Sequence, residues 1–334
     1  MLPLGKLKID LLQQILPRPH QDARLVVGPR IGEDAAVIDF GETYLVVKTD
    51  PITFTTDEIG WYLVCVNSND IATMGAVPKW LLVTILLPEN RTTEDLIRRM
   101  MSQITAACEH FNITLCGGHT EVTHGLDRPI VIGQMLGEVR KGQLITSSGA
   151  QAGDDLILTK GLGIEATSII ARERESEVLD KFSPAFLNRA KNYLTHPGIS
   201  VLKEALIAAE TGGVHAMHDP TEGGVATAIH ELAHAANLGV VVWQEKLLIS
   251  TETAQLCQEF QLDPLGVISS GALLIASEPT RSNAILSALA EQNIPCEIIG
   301  QLLSPESGRW IVHNGHRQPL PIFETDEITK IFGE

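Results

Sequence analysis

The sequence predicts an α+β protein built from two domains. A chain of 334 residues exceeds the size at which a single hydrophobic core stops growing. Helical stripes and short β-branched runs alternate without a strict strand–helix–strand rhythm, which favours α+β over a doubly wound sheet. Between residues 141 and 153 the chain becomes rich in small polar residues. We therefore predict domains at 1–148 and 149–334.

The first domain begins with a helical stripe over residues 6–16, which Pro17 and Pro19 end. A second helix is predicted from Thr55 to Gly75, and Thr92 is predicted to cap a third. Short apolar runs bounded by glycine or proline are typical of strands. They predict strands at 24–27, 35–40, 44–47, 80–87, 113–116 and 129–136.

The second domain shows the same mixture of patterns. Apolar runs predict strands at 155–159, 240–243, 272–276, 297–301 and 310–313. Amphipathic spacing predicts helices at 201–209, after Gly224, at 251–260 and at 282–292. The charged segment 172–180 is typical of the solvated face of a helix.

Composition excludes several classes of function. The net charge of −16 disfavours nucleic-acid and anionic-membrane surfaces, because their phosphates would be repelled. Five cysteines without C-x-x-C spacing predict neither a disulfide framework nor a zinc knuckle, and they fit a reducing compartment. No apolar run approaches the roughly 18 residues of a membrane span, and the first ten residues do not resemble a signal peptide. We expect a cytoplasmic protein.

Three aspartates lie where apolar runs meet turns or helices. Asp34 precedes a predicted strand, Asp50 is predicted to end the next one, and Asp70 lies on a helix. Asn67 precedes Asp70 by three residues, so both side chains point to one side of that helix. If the fold brings the carboxylates together, their repulsion requires a cation, and hard oxygen ligands select Mg²⁺. Such a site usually holds a polyphosphate. The alternative is that each aspartate separately caps a turn or helix.

Glycine-rich turns are predicted at 117–118, 161–163 and 223–224, each after a strand or before a helix. Free backbone N–H groups at such places bind phosphate oxygens. None of the three matches a P-loop, and glycine needed only for a positive φ is the alternative for each one.

The segment His230-Glu231-Leu232-Ala233-His234 matches H-E-x-x-H on a predicted helix. This spacing places both imidazoles on one face, with the glutamate available as a base at a zinc ion. The apolar face of the helix does not coincide with residues 230 and 234. Two exposed histidines are therefore the favoured interpretation, and a zinc hydrolase is the third hypothesis for the protein.

Five motifs together resemble the aminoimidazole ribonucleotide (AIR) synthase superfamily. They occur in the order of that superfamily and span about residues 5–315. The motifs are Gly32-Glu33-Asp34-Ala35-Ala36, Thr49-Asp50, Asn69-Asp70-Ile71-Ala72-Thr73-Met74-Gly75, Gly117-Gly118-His119-Thr120-Glu121 and Asp219-Pro220-Thr221-Glu222-Gly223-Gly224. The third and fifth motifs are most similar to the branch of the hydrogenase maturation protein HypE.

The resemblance implies a PurM-like fold. Its N-terminal α/β domain pairs with a twofold mate into a β-barrel, its second domain is α+β, and Mg²⁺ holds ATP between the domains and across the homodimer. The implied chemistry is phosphoryl transfer from ATP to an oxygen of a small-molecule acceptor. Catalytic roles fall to Asp50, Asp70 and Asp219. Predicted ATP contacts are Asp34, Asn67, Gly117, Gly118, Thr120, Lys160, Gly223 and Gly224. Predicted Mg²⁺ ligands are Asp34, Asp50, Asp70, Glu121 and Asp219.

The sequence departs from the superfamily pattern in two places. His119 stands where the family usually has an acid, and imidazole is a poorer Mg²⁺ ligand than carboxylate. No cysteine follows Cys296, whereas the HypE branch carries a C-terminal cysteine, so the carbamoyl-dehydratase reaction in its usual form is not expected. The alternative hypothesis is a nucleotide-binding accessory protein that docks to a partner in hydrogenase maturation.

Overall fold

The computed structural model describes residues 7, 9–16, 22–53, 55 and 57–332. Their contacts form two compact units. The N-terminal unit contains the described residues of Gln21–Gly28 and Asp34–Leu144, and the C-terminal unit contains those of Met1–His20, Pro29–Glu33 and Ile145–Glu334. Helix α1 (Ile9–Ile15) belongs to the C-terminal unit. The proline stop predicted for this helix lies outside the described residues. The next helix along the chain begins at Ile59, four residues after its predicted start at Thr55.

The N-terminal unit is a mixed sheet with helices packed on it. Its strands are β1 (Leu25–Val27), β2 (Ala36–Asp39), β3 (Thr43–Ile52), β4 (Val77–Pro88), β5 (Thr114–Thr123) and β6 (Ile130–Arg140), in the order β1-β2-β3-β6-β4-β5. Its helices are α2 (Ile59–Thr73) and α3 (Glu94–His110). The β4–β5 pair is parallel, and the other neighbours are antiparallel.

Helix α2 lies against one face of this sheet and is buried along almost its whole length. Side chains alternate between the two faces of a strand. On β6, Val131, Met135 and Val139 are buried on the helix side, whereas Ile132 and Leu136 are half-buried on the other side. We call the first the helix-covered face and the second the open face.

The C-terminal unit has its own sheet and core. Its strands are β7 (Asp155–Thr159), β8 (Val214–His218), β9 (Gly239–Trp243), β10 (Leu274–Ser277), β11 (Cys296–Leu303), β12 (Arg309–His313) and β13 (His316–Pro319), in the order β13-β12-β9-β11-β7-β10-β8. Its further helices are α4 (Ile164–Glu173), α5 (Glu175–Lys181), α6 (Pro184–Asn192), α7 (Leu202–Thr211), α8 (Gly224–Ala235), α9 (Thr251–Glu259) and α10 (Pro279–Glu291). One hydrophobic core of this unit lies between this sheet and helix α8. On the other face of the sheet Ile157, Met217 and Ile275 are also buried.

The predicted α+β class is confirmed, and three further element boundaries are corrected. Strand β3 continues past Asp50 to Ile52, so Asp50 lies inside the strand instead of ending it. Strand β5 continues through Gly117 and Gly118, which are extended and form no turn. The cap of α3 is Thr93, whose side chain accepts a hydrogen bond from the Leu96 N–H group, and not Thr92.

A buried ion pair anchors the turn after β7. The Lys160 ammonium lies 2.6 Å from Glu204 Oε1, and both side chains are almost completely buried. It also donates to the carbonyl oxygens of Gly198 at 2.9 Å and Ser200 at 2.7 Å. These contacts connect the turn to the start of α7.

Glu165, in the first turn of α4, is another buried ionisable group in this region. Its Oε2 atom is buried and has no hydrogen-bond partner among the described residues. Burial raises the pKa of Glu165 to about 8, and the charges of Glu222 and Asp326 add to that rise, while hydrogen bonds from Ser270 oppose it. The folded state therefore favours the protonated carboxyl.

We predict that Lys160→Met destabilises the protein by about 3–5 kcal/mol, because Glu204 is left as an unpaired buried charge. The free energy of unfolding is measured by urea denaturation. The control is Lys246→Met in the exposed Lys246–Glu297 pair, whose ions are 3.2 Å apart. That change is expected to cost no more than about 1 kcal/mol. Equal effects of the two substitutions would contradict the prediction.

Glu165 also predicts a pH dependence of stability. A carboxyl whose pKa is raised on folding binds its proton more tightly in the folded state, so stability falls as the pH rises from the unfolded value of 4.5 through about 8. Glu165→Gln removes this titration. We expect the variant to match the natural chain near about pH 5 and to be more stable at about pH 9. Denaturation curves at both pH values check this, and a variant that gains nothing at the higher pH contradicts it.

Candidate functional site

Lys48, Asp50 and Asp70 form a charged cluster on the helix-covered face. Lys48 and Asp50 are two residues apart on β3, so both side chains leave the strand on the same face. Asp70 comes from helix α2, which packs against that face. The Lys48 ammonium donates to Asp70 Oδ1 at 3.0 Å and lies 3.6 Å from Asp50 Oδ2. The structure thus brings two of the predicted aspartates around one ammonium.

Each charge in this cluster affects the protonation of the others. Burial raises the pKa of Asp70, and the neighbouring Asp50 and Asp34 charges raise it further, while the Lys48 ammonium lowers it. Burial alone would lower the pKa of Lys48, but the three carboxylates more than reverse this and hold it above its ordinary value. Asp34, which lies just before β2 as predicted, therefore belongs to the same electrostatic neighbourhood.

Two buried oxygens in the cluster are left without donors among the described residues: Asp70 Oδ2 and Asn67 Oδ1. Asn67 is fully buried and Asp70 is 5% exposed. The amide nitrogen of Asn67 donates to the carbonyl oxygens of Leu63 at 2.9 Å and Asp50 at 3.3 Å, which fixes the side chain. Buried acceptors are normally satisfied, and unpaired carboxylate and amide oxygens are the ligand set of a hard cation. These residues fit Mg²⁺.

Gly133 on β6 makes room for Asn67. A Cβ atom at residue 133 would lie 2.5 Å from the Asn67 amide nitrogen. Any side chain at this position would therefore displace the amide that contacts the Asp50 backbone.

The predicted ATP contacts on β5 lie away from this cluster. Strand pairing places Gly118, Val83, Gly133 and Asp50 in one row across the sheet. Three interstrand spacings separate the ends of that row, about 14 Å. Gly118 is required by close packing, because a Cβ atom there would lie 1.8 Å from the Val83 carbonyl oxygen at a φ of 153°. Its backbone does not contact the aspartates.

His119 and Glu121 lie on the open face, opposite the aspartate cluster. Register places them beside Thr84 and Leu86 of β4, whose side chains point to that face. His119 Nε2 is 3.1 Å from Glu121 Oε2, and both side chains are about half exposed. Within one chain Glu121 therefore does not join Asp50 and Asp70. Its role as a Mg²⁺ ligand, and that of Thr120 in ATP binding, stay predictions.

The glycines of the C-terminal unit are engaged within their own unit. The Gly223 N–H group donates to Asp326 Oδ2 at 2.6 Å, and the Gly224 N–H group donates to the Thr221 carbonyl oxygen at 3.1 Å. A Cβ atom at Gly224 would lie 2.4 Å from the carbonyl oxygen of Leu265. At Gly223 a Cβ atom would lie 2.4 Å from the Thr227 hydroxyl oxygen. Close packing thus accounts for both glycines without a phosphate, and their predicted ATP contacts stay predictions.

Lys160 and Asp219 are both buried in the C-terminal unit. The Lys160 ammonium is already bound to Glu204 and to two carbonyl oxygens. A contact between Lys160 and ATP would require that ion pair to open. Asp219 directly follows β8 and is 3% exposed. The predicted roles of both residues are untested by this geometry.

The H-E-x-x-H segment is occupied by structural contacts. His230 Nε2 donates to the Pro321 carbonyl oxygen at 3.2 Å, and its Nδ1 accepts from Arg309 at 3.3 Å. Burial lowers the pKa of His230, and the Arg309 charge lowers it further. Glu231 pairs with His218 at 3.0 Å. Among the described residues, no group of three candidate metal-ligand side chains includes His230 or His234.

Lys48 is the residue that sequence reasoning missed. The sequence feature that could have identified Lys48 is its position two residues before Asp50 on a predicted strand. This spacing places both side chains on one face. The prediction that the carboxylates need a cation was made, but the chain itself supplies part of that positive charge.

Two domains of one protein family match most of the length of the chain. Residues 32–139 match the N-terminal domain, and residues 151–313 the C-terminal domain, of the AIR synthase related proteins. Among the described residues, no helix is long and apolar enough to cross a membrane.

Curated relatives fall in the same group. A hydrogenase expression/formation protein of Methanocaldococcus jannaschii is 29% identical over 91% of this chain and 90% of its own length. The carbamoyl dehydratase HypE of Escherichia coli is 25% identical over 92% of this chain and 90% of its own length. The thiamine-monophosphate kinase of Bacillus subtilis is 27% identical over 75% of this chain and 77% of its own length.

Solved structures show the same fold. A HypE structure in complex with ATP superposes with a TM-score of 0.73 at 20% identity, covering 95% of this chain and 91% of its own. A HypE–HypF complex gives a TM-score of 0.73 at 20% identity, covering 87% and 93%. The predicted PurM-like fold and the resemblance to the HypE branch are thereby confirmed. The chain belongs to the AIR synthase related protein family.

Proposed function

We propose that the protein is a Mg²⁺-dependent, ATP-binding enzyme that activates an oxygen of a small acceptor by phosphoryl transfer. The observation that carries this proposal is the pair of buried oxygens, Asp70 Oδ2 and Asn67 Oδ1, that lack donors among the described residues beside a strongly acidic cluster. A hard divalent cation satisfies both oxygens and attracts phosphates.

The residues of the N-terminal unit have distinct parts in this function. Asp34, Asp50 and Asp70 would hold Mg²⁺, and Asn67 would support them. The bound cation supplies charge neutralisation for the phosphates. Catalysis of phosphoryl transfer rests mainly on positioning and electrostatic stabilisation, which needs rigidly held groups. Here a buried helix and the interior of a strand hold the carboxylates in place.

The similarities support a nucleotide as the ligand. One structural neighbour is a HypE structure that contains ATP, and one relative is named a thiamine-monophosphate kinase. One relative is named a kinase and another a dehydratase, so the similarities do not identify the acceptor of this chain. A screen of ATP-to-ADP conversion with purine, thiamine and carbamoyl intermediates would identify it.

A nucleotide-binding accessory role is the second candidate. It is favoured by His119, which stands at a position usually held by an acid and lies on the open face away from Asp50. The structure of a HypE–HypF complex supports a maturation protein as the partner of this chain in either role. The accessory role predicts ATP binding with no release of ADP in the presence of any acceptor.

We propose that the open face is the surface of a homodimer. It carries half-buried or exposed apolar side chains on four adjacent strands, which together are Ile38, Leu45, Val47, Trp80, Leu82, Leu86, Ile132 and Leu136. A contiguous apolar patch of this kind marks an interaction site. Two copies packed through their open faces would form the barrel that the resemblance implies, and His119 and Glu121 would lie at that interface.

We predict that Asp70→Asn lowers ATP turnover by at least about 100-fold, because the carboxylate charge facing the cation is lost. Isothermal calorimetry with ATP, with and without Mg²⁺, measures binding, and ADP release measures turnover. The control is Asp39→Asn on the same sheet, where Asp39 pairs with Lys141 at 2.7 Å outside the cluster. No heat of ATP binding in either condition for the natural chain would overturn the proposed function.

We predict that Leu82→Lys weakens the homodimer, because it places a charge on an apolar interface. Leu82 is 37% exposed on the open face, and the control Leu179→Lys changes a leucine that is 41% exposed on α5. Analytical ultracentrifugation gives the dimer dissociation constant, which we expect to rise at least about tenfold for the first variant only. A natural chain that sediments as a monomer at high concentration contradicts this arrangement.

A further inference from the structure

The Lys48 ammonium lies where the aspartate cluster most needs positive charge. Its hydrogen bond to Asp70 Oδ1 is 3.0 Å long, and Asp50 Oδ2 is 3.6 Å away. Asp34 interacts electrostatically with both Lys48 and Asp70. Carboxylates that interact electrostatically in this way repel one another unless cations lie between them.

The two oxygens of Asp70 are used differently. Oδ1 accepts from Lys48, whereas Oδ2 is buried and has no hydrogen-bond partner among the described residues. The Asp70 side chain is 7% exposed, so water cannot readily satisfy the second oxygen. The unpaired Oδ2 atom indicates a ligand that is not part of the chain, while Oδ1 is already occupied.

We propose that Lys48 takes the place of one divalent cation in this cluster. Asp70 then binds the ammonium through Oδ1 and a single divalent cation through Oδ2. Three carboxylates, one ammonium and one divalent cation carry no net charge. The inference rests on the proposed function in one respect, namely that the cation binds a phosphate ligand.

The arrangement also gives Lys48 a part in positioning. An ammonium has three N–H donors, and the hydrogen bond to Asp70 uses one of them. The Lys48 side chain is 23% exposed and Asp50 is 33% exposed, so the cluster is reachable from solvent at these two residues. A phosphate oxygen that approaches there meets a fixed positive charge together with the divalent cation.

The experiment titrates the protein with Mn²⁺ at constant pH in the absence of nucleotide. Electron paramagnetic resonance measures the free Mn²⁺, which gives the number of bound ions and their dissociation constant. Lys48→Met removes the charge and keeps an unbranched side chain one atom shorter, and Lys48→Arg keeps the charge. The matched control is Lys79→Met, which breaks the 2.6 Å ion pair between Lys79 on β4 and Glu138 on β6 in the same sheet.

We expect Lys48→Met to bind Mn²⁺ at least about tenfold more tightly than the natural chain, because the ammonium no longer repels the ion and its carboxylates are uncompensated. Lys48→Arg and Lys79→Met should bind Mn²⁺ like the natural chain. A merely structural role for Lys48 would weaken metal binding or leave it unchanged, and either result overturns the proposal.

Circular dichroism establishes that each variant is folded. If Lys48→Met is not, Lys48→Gln gives the same comparison, since its amide still donates to Asp70. Calorimetry with ATP and Mg²⁺ separates the two claims. A natural chain that binds no ATP defeats the proposed function, whereas a chain that binds ATP but gains no Mn²⁺ affinity on loss of Lys48 defeats only the role of Lys48.

Discussion

The N-terminal unit depends on the compensation of carboxylates that are held at the junction of a strand and a buried helix. Asp70 is carried on a helix whose residues are buried along almost its whole length, so its carboxylate cannot rotate out to water. Burying an ionised group without a partner is strongly unfavourable. Lys48 supplies one part of the compensation, and the unpaired Asp70 Oδ2 shows that the described chain does not supply all of it.

Much of this arrangement could be predicted from the sequence, because it depends on local patterns. Asp34 precedes a strand, and Asn67 and Asp70 share one side of a helix by their spacing alone. The positions of Asp50 and Asp70 around Lys48 needed the packing contact of α2 on β3, which periodicity does not specify. Lys48 was not predicted as a site residue, because its position beside Asp70 depends on that same contact.

The wrong predictions concern segments whose structure depends on residues distant in sequence. Gly-Gly at 117–118 has the composition of a turn, yet pairing with β4 extends it, and close approach of the Val83 backbone explains Gly118. The His230 side chain was expected to be exposed, but Arg309 and Pro321, distant in sequence, enclose it. In the C-terminal unit, Asp326 accepts a hydrogen bond from the Gly223 N–H group, and the ATP contact of Gly223 stays a prediction. None of these partners is visible in a local pattern.

The most direct test of the account is to locate the bound cation itself. Fe²⁺ is substituted for Mg²⁺ in the presence of ADP. Ascorbate and peroxide are then added to generate radicals at the metal, and mass spectrometry identifies the peptide bonds that are cut. If the three aspartates hold the cation, cleavage occurs beside Asp34, Asp50 and Asp70 and is suppressed by excess Mg²⁺. Cleavage confined to the segment around His230 and His234, or none while ADP is bound, would contradict it.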